Sequence, residues 1–355
     1  MPTGTNQHKS TPAHMGYRMP AEWEPHEATW VSWPHLEGSR HTKAHEGVMD
    51  VLAHLIDALA DSEKVCINVL DSDEENEARE FFLAKKIRTE HVQYFHIPTN
   101  EPWCRDHGPV FLVRDKAPQL AVVNWDYNGW GWKYPPFDLD EEVPLEIANK
   151  LGAHVFEPGM VLEGGSIEVN GTGTLLTTRS CLLNPNRNPD LSKQEIEQKL
   201  MDFLGVKKIL WLGDGIAGDE ADGHVDDLTR FVNHRTVVTV IEENEDDPNY
   251  EPLQANLALL RSMTTEDDSP LDVHLLPMPR KIAHDDRRIP ASYANFYIAN
   301  TVVLLPTFGD ANDAWATSVI QTVFPTRKVV PIDCRQLTHG LGAFHCLTQQ
   351  QPKLR

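Results

Sequence analysis

The chain has 355 residues, of which 40% are hydrophobic and 24% are charged, as in a globular protein with a substantial core. Its formal net charge of -21 at pH 7 argues against nucleic-acid binding, because phosphate recognition depends on lysine and arginine, whereas a negative field attracts cations. No apolar run approaches the roughly 20 residues of a membrane span, and residues 1–10 lack the apolar stretch of a signal peptide. We therefore expect a cytoplasmic protein with no nucleic-acid or membrane partner.

The chain divides by pattern into a short leader and one long domain. Residues 1–18 are interpreted as a loose leader, and residues 19–355 are expected to form a single domain, since no low-complexity linker interrupts them. The spacing of apolar residues predicts alternating strands and helices. The predicted elements are a strand within 19–34, a helix over 48–60, a strand over 65–70, helices over 74–86, 191–204 and 253–263, and a strand over 301–305.

An aromatic segment follows the first third of the chain. Residues 124–136 combine three tryptophans and two tyrosines with asparagine, glycine and proline. Core segments rarely carry these residue types so densely, so we interpret the segment as a lid or a pocket wall.

The stretch Asp222–Val232 carries the first candidate chemistry. Its end is rich in β-favouring residues, which predicts a strand entered through a glycine turn. Residues two apart share a face of a strand, so His224 and Asp226 would point into one pocket. The alternative is a solvated acidic turn that leads into an ordinary strand.

Three other stretches place a reactive or charged side chain beside glycine at the start of a short strand: 103–113, 162–169 and 342–348. The successive intervals are 57 residues from Asp106 to Glu163, 61 from Glu163 to His224 and 122 from His224 to Cys346. The last interval is twice the second. This spacing indicates units of roughly 60 residues, each of which brings one strand end to a common centre. The missing unit would fall near 291–300.

Common cofactor and metal patterns are missing from the sequence. The acidic residues around His224 lack the spacing of H-E-x-x-H or of a cysteine and histidine ligand set, so we expect no metal. There is no P-loop and no Gly-x-Ser-x-Gly elbow, and the turn 213–218 is too acidic to favour phosphate. We expect no cofactor.

The cysteines point instead to thiol chemistry. Five cysteines without C-x-x-C spacing are expected to be reduced. Cys66, Cys181 and Cys334 are interpreted as structural, whereas Cys346 lies between a glycine-rich turn and the polar run 348–351, where a reactive thiol would have access. The alternative is that Cys346 is a small buried hydrophobic residue.

Several segments together carry a family resemblance. They are Trp103-Cys-Arg-Asp-His-Gly-Pro, Glu163-Gly-Gly, Leu176-Thr-Thr, Asn184-Pro-Asn-Arg-Asn-Pro, Asp219-Glu-Ala-Asp-Gly-His-Val-Asp, Pro290-Ala-Ser-Tyr-Ala-Asn-Phe, and His345-Cys346 with Thr348-Gln-Gln-Gln-Pro. Over residues 19–352 the chain resembles the agmatine deiminases, a group that also holds the bacterial peptidyl-arginine deiminase-like proteins, within the guanidino-group-modifying superfamily. The resemblance implies an α/β fold, namely a five-bladed α/β propeller (pentein) of pseudo-repeated units around a central active site, in one catalytic domain over 19–355.

The resemblance also implies substrate-binding residues. Asp106 and Asp226 would bind the nitrogens of a small cationic guanidino substrate, and Trp103 would wall its planar group. Planar guanidinium groups pair well with carboxylates, because their N–H donors are fixed in a fork. Glu220 is a candidate for the far ammonium of agmatine.

The implied catalytic set is Cys346, His224, Glu163, Asp226 and Asp106. Cys346 would attack the guanidino carbon, His224 would serve as acid and base, and Glu163 would hold His224. The expected activity is agmatine deimination to N-carbamoylputrescine and ammonia, on the route to putrescine. The alternatives are a peptidyl-arginine or free arginine deiminase, an amidinotransferase, and a non-catalytic guanidinium- or polyamine-binding relative. Assembly into a homo-oligomer is left open.

One segment departs from the family pattern. The usual Gly-Gly-Gly-Asn-Ile-His-Cys is here Gly340-Leu-Gly-Ala-Phe-His-Cys346. Leu341 thus replaces a glycine and Ala343 an asparagine next to the predicted nucleophile. We expect these two changes to alter the substrate wall of the pocket.

Overall fold

The computed structural model describes residues 11–34, 45–284 and 286–355, which fold into alternating strands and helices. The strands are β1 (His26–Ser32), β2 (Lys64–Val69), β3 (Val92–His96), β4 (Val110–Val113), β5 (Leu120–Val123), β6 (His154–Phe156), β7 (Ile167–Val169), β8 (Thr174–Thr178), β9 (Lys208–Leu212), β10 (Thr229–Phe231), β11 (Thr236–Ile241), β12 (Asp272–Pro277), β13 (Ala283–His284), β14 (Arg287–Arg288), β15 (Tyr297–Ile298), β16 (Val302–Thr307), β17 (Lys328–Asp333) and β18 (Gln349–Pro352). The helices are α1 (His45–Leu59), α2 (Ser72–Lys85), α3 (Cys104–His107), α4 (Gly129–Trp132), α5 (Asp138–Leu151), α6 (Arg179–Leu182), α7 (Lys193–Leu204), α8 (Tyr250–Ser262), α9 (Asp313–Val323) and α10 (Phe344–Leu347). The α/β class predicted from the sequence is confirmed.

Five sheets repeat one topology. Four of them have the orders β4-β5-β6, β7-β8-β9, β10-β11-β12 and β15-β16-β17, and the fifth has the order β18-β1-β2-β3. In each, the first pair is antiparallel and the next pair is parallel. A parallel pair needs a crossover connection, and helices α5, α7, α8, α9 and α1 lie between the strands of the parallel pairs.

The sheet that holds β1 joins distant parts of the chain. Strand β18 pairs antiparallel with β1, so that Trp30 lies opposite Gln349. The other side of β1 pairs in parallel with β2. The amino-terminal sheet is therefore incomplete without the strand that follows Cys346.

Local sequence explains why the long helices begin and end where they do. Helix α7 starts at a capping box, in which Ser192 and Glu195 satisfy each other's backbone N–H groups, and it ends at Gly205 in the left-handed region. Helix α2 starts where the Asp71 carboxylate accepts from two free N–H groups. Both helices begin and end within two residues of the predicted ranges, 74–86 and 191–204.

The strand predicted over Asp222–Val232 is wrong in its first half. Val225–Asp227 forms a 3-10 turn, and only Thr229–Phe231 is a strand. The Asp219 carboxylate accepts from the backbone N–H groups of Gly223 and His224, which curls the chain where an extended strand was expected. Gly223 has φ +95°, a conformation that glycine adopts without strain.

The predicted leader is described only in part. Residues 1–10 lie outside the described residues. Residues 11–18 are packed: Tyr17 is buried, and Arg18 exchanges backbone hydrogen bonds with Val113 at the edge of β4. No helix in the described ranges is long and apolar enough to cross a membrane.

A buried arginine ties separate sheets together. Arg230 in β10 is fully buried, and its guanidinium donates to Glu168 in β7 (2.8 Å), to Glu22 (2.6 Å) and to the carbonyl of Phe296 (2.6 Å). Each partner lies on a different segment. The guanidinium therefore holds three regions of the chain in register.

Substitution Arg230→Ala is expected to lower the free energy of unfolding by about 3 to 5 kcal/mol, because it leaves the buried Glu168 without its cation and takes one cation from the buried Glu22. Urea unfolding would measure the change. The matched control is Arg280→Ala, which removes an arginine that is 79% exposed from its ion pair with Asp310. A control that lost as much stability as Arg230→Ala would contradict this role for the buried network.

Candidate active site

Five short segments meet at one centre, and each directly precedes the first strand of a sheet. They are α3 before β4, Gly164–Ser166 before β7, Val225–Asp227 before β10, residues 291–296 before β15, and α10 before β18. Side-chain hydrogen bonds connect neighbouring segments, for example from Asn295 to Asp227 and from His345 to Asp226. The sequence placed a missing unit near 291–300, and Asn295 lies within it.

Three predicted site residues converge over Gly165. A methyl group at this glycine would lie 2.6 Å from His224 Nδ1, 2.8 Å from Asp106 Oδ1 and 3.0 Å from Asp226 Oδ2. Asp106 is fixed by hydrogen bonds from the Gly165 N–H and from Trp130 Nε1, both 2.9 Å long. The absence of a side chain at Gly165 thus lets two carboxylates and an imidazole approach each other.

The thiol of Cys346 lies in the same centre. Its Sγ accepts from Asn295 Nδ2 at 3.1 Å and lies 3.7 Å from Asp226 Oδ2. Burial raises the pKa of the Cys346 thiol well above its usual range, and the carboxylates of Asp226, Asp227 and Asp106 raise it further. The thiol is therefore protonated at neutral pH when no cation is bound.

His224 is the acid/base candidate. Its Nδ1 lies 3.7 Å from Asp106 Oδ1, and its Nε2 lies 4.0 Å from Glu163 Oε2. Burial opposes the charged imidazolium, but Asp106, the adjoining Cys181 and Asp226 outweigh it, so the pKa of His224 is well above its usual value. His224 is therefore positively charged in the free protein.

Glu163 has a closer partner than His224. Its Oε1 accepts from Arg187 Nε at 2.7 Å, and both side chains are fully buried. Its Oε2 faces His224 and the thiol of Cys181, each at 4.0 Å. Glu163 therefore acts on His224 through its charge, and Arg187 fixes its orientation.

His345 and Glu22 were not among the predicted site residues. His345 Nδ1 lies 2.7 Å from Asp226 Oδ2, and its Nε2 lies 2.8 Å from Glu22 Oε2. Burial would raise the pKa of Asp226, but the hydrogen bond and the charge from His345 reverse this, and the pKa of Asp226 is lowered. His345 directly precedes Cys346 in the chain, which is the one sequence signal that could have drawn attention to it.

The pocket above the thiol is small, with a volume of about 30 Å³. Its lining residues are Trp103, Asp106, Trp130, Tyr134, Asp219, Glu220, Ala221, His224, Asp227, Gly340, Leu341 and Cys346. Trp130 and Tyr134 belong to the aromatic segment, which agrees with its interpretation as a pocket wall. Glu220 also lines the pocket, and its carboxylate pairs with the exposed Arg287.

Leu341 adopts an unusual backbone conformation. Its φ of 74° and ψ of 25° are left-handed, a region that costs about 1 to 2 kcal/mol for a residue with a side chain. The Leu341 N–H donates to the Thr338 carbonyl at 2.9 Å, which holds the turn. The next residue, Gly342, has no room for a side chain, since a methyl group there would lie 2.5 Å from Trp103 Cζ3.

Two buried groups bring three ligand-type atoms within 4.8 Å of one another: Glu163, Cys181 and His224, and separately Glu22, Glu168 and His345. In both groups the carboxylates already accept from guanidinium groups, those of Arg187 and Arg230. A metal ion would have to share each space with a resident positive charge. The expected lack of a metal stays a prediction.

Comparison with solved structures defines the class of fold. An agmatine deiminase of Enterococcus faecalis has a TM-score of 0.89 and 34% identity, over 97% of this chain and 98% of that one. A cysteine-to-serine variant of C. jejuni agmatine deiminase with substrate bound has a TM-score of 0.87 and 31% identity, over 96% and 97%. The chain thus has the fold of the agmatine deiminases.

The chain belongs to the Porphyromonas-type peptidyl-arginine deiminase family, whose family model matches residues 18–352. A Legionella pneumophila relative is 37% identical over 346 residues, or 97% of each chain. A relative from Selenomonas ruminantium is 38% identical over 369 aligned positions, covering 97% of this chain and 98% of that one. Both carry the name "Putative agmatine deiminase". The family resemblance found in the sequence is confirmed.

Removing the charge of Asp226 should make Cys346 more acidic. In Asp226→Asn the pH midpoint for alkylation of Cys346 by iodoacetamide is expected to fall by about one unit, because a neighbouring negative charge no longer opposes the thiolate. Mass spectrometry of the Cys346 peptide would follow the reaction.

The matched control is Asp61→Asn, a carboxylate whose side chain is 83% exposed. The midpoint should not move in this control. A midpoint that stayed in place or rose in Asp226→Asn, with the melting temperature preserved, would contradict the electrostatic account of the thiol.

Proposed function

We propose that this protein hydrolyses the guanidino group of agmatine to N-carbamoylputrescine and ammonia, a step toward putrescine. The observation that carries the proposal is the buried thiol of Cys346 beside Asp226, in a pocket shared with His224 and Asp106. The agmatine deiminase names of relatives that align over 97% of the chain support it.

Substrate binding rests on the carboxylates. Asp226 Oδ1 is buried and has no hydrogen-bond partner among the described residues, so it is available to an N–H donor. A planar guanidinium offers donors in a fixed fork that suits Asp226 and Asp106, and the ring of Trp103 would lie along its plane. Glu220 at the rim would meet the far ammonium after exchanging its contact with Arg287.

Binding of the cation would also activate the nucleophile. The same carboxylates that raise the pKa of Cys346 would be neutralised by the guanidinium, so the thiol could lose its proton once the substrate is in place. Cys346 would then release its proton to solvent and attack the central carbon as a thiolate, while the charged His224 keeps its proton for the leaving group. The reactive thiolate would be formed mainly when its target is present.

The remaining steps follow from proton balance. His224 gives a proton to the departing nitrogen, and the C–N bond breaks to release ammonia, which leaves a cationic amidino-cysteine. Water then adds to that carbon and gives one proton to His224. The C–S bond breaks as the second proton of the water is released, which leaves His224 charged as at the start. The two protons released to solvent, one from the thiol and one from the water, are taken up by the sulfur and by ammonia, which leaves as ammonium. Glu163 supports the charged form of His224 throughout.

We propose further that the five sheets are the blades of a five-bladed propeller, formed by one catalytic domain over residues 19–355. Their shared strand order and the contacts among the five pre-strand segments support this arrangement. A cytoplasmic location is supported by five free, buried cysteines. Assembly into a homo-oligomer is also proposed, and light scattering would test it.

Substitution Cys346→Ser should lower kcat by about a thousandfold or more while leaving agmatine binding measurable, because the carboxylates that hold the substrate remain. Ammonia release and isothermal calorimetry would measure the two quantities. Cys66→Ala, which alters a cysteine in strand β2, serves as the control and should retain activity. Turnover by Cys346→Ser at the wild-type rate would exclude the covalent mechanism.

The substrate is identified by comparing agmatine, free arginine and an arginine peptide for the release of ammonia and of a ureido product. Agmatine should have the highest kcat/KM, since the carboxylates that line the pocket oppose the α-carboxylate of arginine. Preference for arginine or the peptide would leave the mechanism unchanged and favour an arginine deiminase. A Porphyromonas gingivalis structure that is 35% identical carries the name "Putative Arginine Deiminase". Binding without turnover would select a non-catalytic role.

A further inference from the structure

We propose that Leu341 determines substrate specificity, by closing the solvent side of the pocket against guanidines whose carbon chain carries a substituent. An unbranched alkylguanidine would pass this side chain, whereas the carboxylate or amide group on the α-carbon of arginine would collide with it. Because a guanidine substrate is itself proposed, this role rests on the proposed function.

The pocket has a partly exposed rim and a buried floor. The lining residues that are partly exposed are Tyr134, Asp219, Glu220, Ala221 and Leu341. The reactive groups, in contrast, are buried. A ligand must therefore pass the partly exposed set, and Leu341 is a member of it.

The rest of this rim forms one connected wall. Lys133 Nζ, next to Tyr134, donates to the carbonyl of Glu220 at 2.6 Å and pairs with Asp222 at 2.7 Å. The aromatic segment and the turn around Glu220 are thus tied together. Leu341 comes from a different segment, the one that leads to Cys346, and it is the large apolar side chain that this segment adds to the lining.

Leu341 is held in place from both sides. On one side, its N–H donates to the carbonyl of Thr338 at 2.9 Å. On the other, Gly342 packs so closely that a methyl group there would lie 2.5 Å from Trp103 and 3.1 Å from Cys346 Cβ. The backbone therefore cannot retreat from the pocket floor, and opening must come from the leucine side chain or from the opposite wall.

The backbone conformation adds an independent observation. Leu341 has φ +74°, a value that glycine adopts freely and leucine does not. A leucine retained in a strained conformation beside a catalytic thiol indicates that its side chain has a local role. Filling the rim of a small pocket is such a role.

The test compares Leu341→Ala with Leu341→Gly. Both remove the side chain from the rim, but only glycine also relieves the left-handed backbone. Binding of agmatine and of Nα-acetyl-arginine amide is measured by calorimetry in a Cys346→Ser background, so that selectivity is determined without turnover. The ratio kcat/KM is then measured for both compounds with Cys346 intact.

Both variants should raise the affinity for the arginine amide relative to agmatine by about tenfold or more, the usual effect of resizing an apolar pocket wall. Leu341→Gly should also have a higher melting temperature than Leu341→Ala. The control Leu83→Ala removes the same side chain from a site that is 79% exposed, and it should leave the ratio unchanged.

A binding ratio that stays unchanged in both variants would overturn the proposal. The proposal would also be overturned if neither guanidine bound to Leu341→Ala or Leu341→Gly. A changed binding ratio in a protein that turns over neither compound would retain the role of Leu341 and refute the proposed function. The two failures are thereby distinguished.

Discussion

An imidazole held between two buried carboxylates organises this site. His345 lies 2.7 Å from Asp226 and 2.8 Å from Glu22, and Glu22 in turn accepts from Arg230 at 2.6 Å. Isolated buried charges cost several kcal/mol each, so such groups persist only when they are paired. The pairing holds Asp226 through one oxygen and leaves Oδ1 without a partner among the described residues. The protein thus maintains a fixed, ionised carboxylate with one open acceptor beside the thiol.

Neighbouring carboxylates respond differently to the same burial. The pKa of Asp226 is lowered, because His345 outweighs the effect of burial. In contrast, burial raises the pKa of Asp106, and it raises that of Asp227 well above the usual range, where the charge of Asp226 adds to the effect. The charge of Asp226 is therefore held more firmly than the charges of Asp106 and Asp227. Under the proposed mechanism, the positive charge of the arriving guanidinium would offset the negative charge of the carboxylates and acidify the thiol, so recognition and reactivity depend on the same electrostatic balance.

The sequence predicted the repeat and the reactive residues better than it predicted their local geometry. The roughly 60-residue spacing corresponds to successive sheets, because each sheet begins with one pre-strand segment. The prediction of a strand at His224 is wrong, since the alternation of residue types does not reveal the backbone hydrogen bonds that the Asp219 carboxylate accepts. His345 and Glu22 are 323 residues apart, and no local pattern indicates such a pair. The conformation of Leu341 likewise depends on packing of the adjacent glycine against Trp103.

The pairing of β1 with β18 sets an order of events during synthesis. Strand β1 leaves the ribosome early, yet one of its edges stays unpaired until residues 349–352 have emerged. Cys346 lies three positions before that strand, so the nucleophile arrives together with the segment that completes the amino-terminal sheet. A nascent chain would carry the acids and the imidazole of the pocket without the thiol while the 120 residues from Asp226 to Cys346 are added. Completion of the fold and onset of chemical reactivity would therefore coincide.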